Sequence, residues 1–143
     1  ILAGRRINDG MGSHVADQLI LHMARKGIPV GGSRVLLLGL AFKENCPDVR
    51  NTRVVDIVAR LQEYGVQVDV TDPWVNPADA KAEYGIDLVS LDSADTGRYQ
   101  AAVLAVAHRD YDDVADQLRT LVGNEGVLYD VKGSLGDTAD ARL

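Results

Sequence analysis

"RVLLLGLAFKENCPDVRNT", residues 34–52, joins an unbroken apolar run to a polar, charged loop. The run from Val35 to Leu38 lacks the alternation of a half-exposed strand, which is the pattern of a strand covered on both faces. Such strands belong to parallel sheets with crossover helices, so the stretch predicts an α/β fold. In open sheets of that kind ligands collect beyond the carboxyl ends of the strands. The loop after Leu38 lies there. A G-x-G-x-x-G turn at this point would let backbone amides close on a pyrophosphate. Here Gly39 is followed by Leu40, Ala41 and Phe42, whose side chains prevent that approach. In place of glycines the loop offers Lys43 as a mobile positive charge, Phe42 as an aromatic face for a base, and Arg50 as a planar fork suited to phosphate. The plainer alternative is that Lys43 and Arg50 pair with Glu44 and Asp48 on a solvated loop, as most surface charges do.

Working outward, Met11, Val15, Leu19 and Met23 recur every four positions and Ile20 joins them, which predicts a helix over Ile7–Lys26. Gly27 and Pro29 stop it. Downstream, Asn51 or Thr52 is expected to cap a second helix with Val54, Val55, Val58 and Leu61 on one face and Gly65 at its end. "VQVDVTDP" alternates and stops at Pro73. "NPADAKAEYG" reads as a short helix and "IDLVSL" as a short strand. "AAVLAVA", residues 101–107, is a further buried strand, followed by a helix with Tyr111, Val114, Leu118 and Leu121 on one face, and "GVLYDV" closes the series. Strands separated by helices imply right-handed crossovers. The expectation is a doubly wound, Rossmann-like, mainly parallel sheet with helices on both faces, preceded by one long helix. The expected division is a helix over 1–28, the Rossmann-like domain over 29–136, and a frayed polar tail over 137–143.

The bulk numbers agree with one such domain. The 143 residues are 46% hydrophobic and 25% charged, as in globular chains. The net charge of −6 argues against a nucleic-acid binder, which needs clustered Lys and Arg. No apolar stretch approaches the roughly 20 residues of a membrane span, and no leader is visible, so a cytoplasmic location is expected. The single cysteine, Cys46, excludes an internal disulfide and a Cys-rich metal site. The start at Ile1, without Met, reads as a cut from something longer.

The motif F-K-x-N-x-x-D-x-R-x-T, residues 42–52, resembles the one that opens the C-terminal, UDP-binding domain of the UDP-glucose/GDP-mannose dehydrogenase family. "GRRIND" at 4–9, "TDP" at 71–73 and "YDVKG" at 129–133 stand in the order and spacing of that family. The wording is closest to its bacterial branch that oxidises UDP-N-acetylhexosamines for surface polysaccharides. The resemblance implies that Lys43 contacts a UDP-sugar with Phe42 beside the uridine. It implies that Lys132, where relatives commonly carry arginine, touches the nucleotide, and that Arg50 reaches toward NAD held mainly by a missing N-terminal domain. It also implies a homodimer through the first helix. The family oxidises the sugar C6 alcohol with two NAD through a thioester on a cysteine in a G-G-x-C-x-P-K-D stretch, which this chain lacks. No catalytic residue is therefore expected here, and the chain alone is expected to bind and not to oxidise. Cys46 lies in the wrong motif and reads as an ordinary loop residue.

The remaining polar residues are read structurally. Asp72 ends a strand where a ribose-binding acid is one option, but "DP" is equally a turn signal. Asp130 has the same ambiguity. His14 and His22 lack a third metal ligand. His108 sits at a strand end, where a loop or capping histidine is the reading adopted. Asp110, Asp112 and Asp113 suit a helix start, and Trp74 either anchors a turn or sits at an interface. Two competing functions are a free-standing nucleotide-sensing module without redox chemistry and a dimerisation unit whose loop charges are incidental.

Overall fold

The computed structural model describes the backbone of residues 2–93 and 99–143 and the side chains of 10–92 and 99–143. The helix α1 spans Leu2–Arg25, longer at its start than the apolar stripe indicated. Ile7 and "GRRIND" fall on residues whose side chains lie outside those described. Five strands follow: β1 (Arg34–Leu38), β2 (Gln67–Thr71), β3 (Ala101–Leu104), β4 (Val127–Asp130) and β5 (Ala141–Arg142). Their order is β2-β1-β3-β4-β5, and every pairing is parallel.

Alternation along the strands sorts side chains between two layers. Val35 and Leu37 of β1, Ala101 and Val103 of β3, and Val127 and Tyr129 of β4 share one apolar cluster with α1 and with α2 (Val54–Glu63). Leu36, Leu38, Ala102, Leu104 and Leu128 face the other side, against Leu118, Leu121 and Val122 of α4 (Ala115–Val122). The expected α1 face is buried: Val15, Leu19 and Met23 are all at most 1% exposed. Burial of large apolar side chains stabilises by about 1.5–3 kcal/mol each, so α1 is part of the core. Leu21, on another face of the same helix, is exposed. α1 crosses α2 closely at Gly12, where an added Cβ would lie 2.5 Å from Asp56 Cβ.

Local signals set most boundaries. The helix α3 (Pro77–Tyr84) begins at Asn76, whose side chain accepts the Ala78 amide at 2.9 Å, and ends at Gly85 with φ 68°. At α2 the cap position is Arg53, while the Thr52 hydroxyl accepts the Val54 amide at 3.2 Å. Asn51 instead takes a left-handed φ of 62°. Three expectations fail. Tyr111 lies in a 3-10 turn, Arg109–Tyr111, and the helix after β3 begins only at Ala115. "IDLVSL" is reduced to one bridge, Leu88 to Val70, followed by a 3-10 turn at Leu91–Ser93. The tail is not frayed, because Ala141–Arg142 adds β5 to the sheet beside β4. The Asp140 carboxylate holds it there, accepting the Leu128 amide and the Arg119 guanidinium, both at 2.8 Å.

Candidate functional site

The switch in strand order falls between β1 and β3, where the connections leave in opposite directions and open sheets bind ligands. A cavity of about 160 Å³ opens there. Its floor is Ala41 after β1, Ala105 and Val106 after β3, and Val131 after β4. Its walls bring together Phe42 and Lys43 from the β1 loop, Lys132 from the β4 loop, and Asn51–Arg53 from the start of α2. Gly12 and Met11 of α1 close one side. Complete small-molecule sites occupy roughly 300–1,000 Å³, so this cavity is smaller than a complete one.

Phe42 is 56% exposed, its ring free to face a planar ligand. Among the described residues Lys43 has no ion-pair partner, so the pairing with Glu44 raised by the sequence does not form. Arg50 behaves as the plainer reading held. It stays outside the cavity, with its side chain 75% exposed and bound to Asp48 at 3.1 Å. The Arg50 guanidinium in turn holds the Asp48 carboxyl below the usual range. Arg53, which the sequence did not single out, stands in the cavity wall at the helix start. Its side chain is 57% exposed and lies 3.9 Å from Asp56.

Buried carboxylates organise both loops. Asp72, just beyond β2, accepts the amides of Leu40 at 2.7 Å and Ala41 at 2.9 Å through Oδ2, and that of Trp74 at 2.8 Å through Oδ1. Burial pushes its carboxyl up, but the hydrogen bonds from His108 and these three amides outweigh it and hold the group below the ordinary carboxylate value. Asp130 accepts the amides of Lys132 at 3.2 Å, Gly133 at 2.9 Å and Leu135 at 2.7 Å. Both aspartates thus take the turn-forming role. Asp110 lies in a short 3-10 turn, Arg109–Tyr111, where it accepts the Trp74 indole N–H at 2.7 Å.

The turn after β1 does not fit a dinucleotide pyrophosphate. Leu40 and Ala41 are buried, and at Gly39, with φ 101°, an added Cβ would come within 2.5 Å of Val106 Cβ. That glycine admits a neighbouring strand's loop, not a ligand. No group of three or more metal-ligating side chains occurs among the described residues, and no helix of the described residues is long and apolar enough to cross a membrane.

Residues 36–137 match the model of the UDP-glucose/GDP-mannose dehydrogenase family, UDP binding domain. The chain belongs to this family. It is 54% identical over its full length to UDP-N-acetyl-D-glucosamine 6-dehydrogenase of Pseudomonas aeruginosa and 45% identical to the protein of the same name in Salmonella typhi. It spans 34% of each relative's length. Among solved structures, NDP-N-acetyl-D-galactosaminuronic acid dehydrogenase from Methanosarcina mazei Go1 shares the fold with a TM-score of 0.77 at 24% identity, over 90% of this chain and 26% of that one. A UDP-glucose dehydrogenase from Pyrobaculum islandicum aligns with a TM-score of 0.69 at 27% identity, over 96% of this chain and 30% of that one. Family membership accounts for the missing glycine turn: a UDP-binding domain has no need of the dinucleotide fingerprint, and this one meets its cavity with side chains.

Proposed function

We propose that the chain is the C-terminal, UDP-sugar-binding part of an NAD-dependent nucleotide-sugar 6-dehydrogenase, which converts the C6 alcohol of a UDP-N-acetylhexosamine to a uronic acid. One observation carries the reading: Phe42, Lys43 and Lys132, from two separate loops, meet around one cavity at the switch point of the sheet. In this reading the Phe42 ring lies against the uracil, and Lys43 and Lys132 supply charge-assisted hydrogen bonds to the nucleotide. The start of α2 adds its partial positive charge on the same side. The cavity is shallow for a whole UDP-sugar, so a second wall comes from the N-terminal domain.

NAD is held by that other domain, with exposed Arg50 reaching toward it from outside the cavity. Cys46, half-buried in the loop, takes no part in thioester chemistry. The chain by itself binds nucleotide and does not oxidise it. A homodimer through α1, on which Leu21 is exposed, and a cytoplasmic location complete the reading.

A two-dimensional NMR titration with UDP, and with NAD in parallel, tests it. Shifts clustered at Phe42, Lys43 and Lys132 with UDP, a Kd on the order of 0.1–1 mM, and little response to NAD are expected. Tight NAD binding with UDP ignored would overturn the reading.

A further inference from the structure

Beyond the cavity, the most fully built polar cluster is the contact between Asp72 and His108, whose side chains are both 0% exposed. His108 Nε2 lies 2.9 Å from Asp72 Oδ2, and the Asn45 backbone N–H donates to His108 Nδ1 at 2.9 Å. A ring nitrogen that accepts an amide carries no proton, so Nε2 bears the hydrogen and donates it to Asp72. Trp74 stacks on the imidazole at 5.9 Å between centroids, and Tyr111 covers another side at 5.8 Å. The orientation of the ring is therefore fixed by packing as well as by hydrogen bonds.

The placement of these bonds along the β1 loop is what gives them a role. Asp72 ties Leu40 and Ala41, immediately before Phe42. His108 ties Asn45, immediately after Glu44. Between the two ties stand Phe42, Lys43 and Glu44, all exposed. Asn45 has φ 56°, a conformation L residues disfavour. It is held from the β3 side, by His108 and by the Arg109 amide donating to its Oδ1 at 2.8 Å. One buried pair, contributed by the ends of β2 and β3, thus clamps both flanks of the segment that presents Phe42 and Lys43.

We propose that His108 is a positioning residue for nucleotide binding: its Nδ1 fixes the far flank of the Phe42–Glu44 segment, while the Asp72 carboxylate, which three backbone amides also hold, fixes the near flank. The segment then meets its ligand preformed, and no loop ordering is charged against affinity. The proposal rests on the UDP reading of the cavity.

Two near-isosteric variants separate the bonds. His108→Asn keeps an acceptor where Nδ1 stands and loses the donor to Asp72. His108→Gln keeps a donor where Nε2 stands and loses the acceptor for Asn45. UDP affinity by NMR titration, ligand-free hydrogen exchange of the 42–46 amides and thermal unfolding are measured on the chain and both variants. Positioning predicts that His108→Asn binds UDP within about threefold of wild type, while His108→Gln binds about five- to tenfold more weakly, the size of one lost hydrogen bond. Exchange at Asn45 should rise in the Gln variant alone.

A purely structural histidine gives another order, because losing the donor to a buried carboxylate harms stability more than losing an acceptor. The Asn variant would then be the less stable, with affinity following stability. That order overturns the proposal, as does equal binding by both variants with unchanged exchange, and in either case wild-type binding leaves the UDP reading standing. A wild-type chain that ignores UDP overturns the UDP reading and the positioning role with it.

Discussion

Asp72 and Asp130 occupy matching places in the sheet and work at different ranges. Each follows or ends a parallel strand, each is buried, and each gathers three backbone amides. Asp130 takes all three from the loop that follows it, and that loop carries Lys132. Asp72 takes two of its three from a loop more than thirty residues earlier, and that loop carries Phe42 and Lys43. The two lysines of the cavity are thus presented by two devices of one chemistry, one local and one assembled across the sheet. The difference teaches where fragility lies: a local turn re-forms with solvent near it, whereas the long-range clamp leaves donors stranded among buried groups when its acceptor is lost.

The sharpest way to break the comparison is to remove each carboxylate. Asp72→Ala strands the amides of Leu40 and Ala41 and the His108 N–H, and should lower stability by roughly 3 kcal/mol in urea unfolding. Asp130→Ala strands one buried amide, that of Leu135, while its partners at 132 and 133 lie in exposed residues, and should lower stability by about 1–2 kcal/mol. Equal losses would show that range makes no difference.

Next in size is ligand binding. Lys43→Ala should weaken UDP binding about tenfold, the worth of one charge-assisted hydrogen bond, and Lys132→Ala by about three- to fivefold, both read by NMR or calorimetric titration. An inert Lys43→Ala would leave the cavity without its ligand.

The pH dependence refines the Asp72 half. Its carboxyl titrates lower in the folded chain than an ordinary aspartate does. Its contribution to stability is therefore fully present above the unfolded value and is lost as pH falls through the folded one, in the window below about pH 4. Asp140, also lowered by its Leu128 and Arg119 bonds after the upward push of burial, acts in the same window. The slope of stability against pH there should be shallower in Asp72→Ala. An unchanged slope would exclude Asp72 as a source of acid sensitivity.

The smallest effect is expected outside both devices. Arg50→Ala removes only a solvent-exposed pair with Asp48. It should leave the melting temperature unchanged and the UDP Kd within twofold. A larger loss of UDP binding would bring Arg50 into the cavity's work after all.

The sequence was legible wherever the controlling interaction is short in range. The unbroken apolar run before Gly39, the four-residue stripe of α1, the Asn76 cap with Gly85, and the turn after Asp130 each carry their cause within a few positions. So does the F-K-x-N-x-x-D-x-R-x-T motif, because a loop that lines a cavity with side chains must spell those side chains out. The reading faltered where the cause is distant. β5 is two residues in a polar tail, and nothing in "ADARL" marks a strand. Its pairing depends on Asp140 meeting Leu128 and Arg119. Arg50 belongs to the motif and Arg53 does not, yet it is Arg53, at the start of α2, that borders the cavity.

What the amino-acid sequence determined by itself was the α/β class, the buried strands and the family, since periodicity, turn chemistry and motif spacing are properties of neighbouring residues. The tertiary structure alone decided that Asp72 and His108, thirty-six residues apart, become partners, and that Phe42, Lys43 and Lys132 share one cavity. Parallel strands bring their carboxyl ends to one edge whatever the length of chain between them, and that juxtaposition is a property of the strand order.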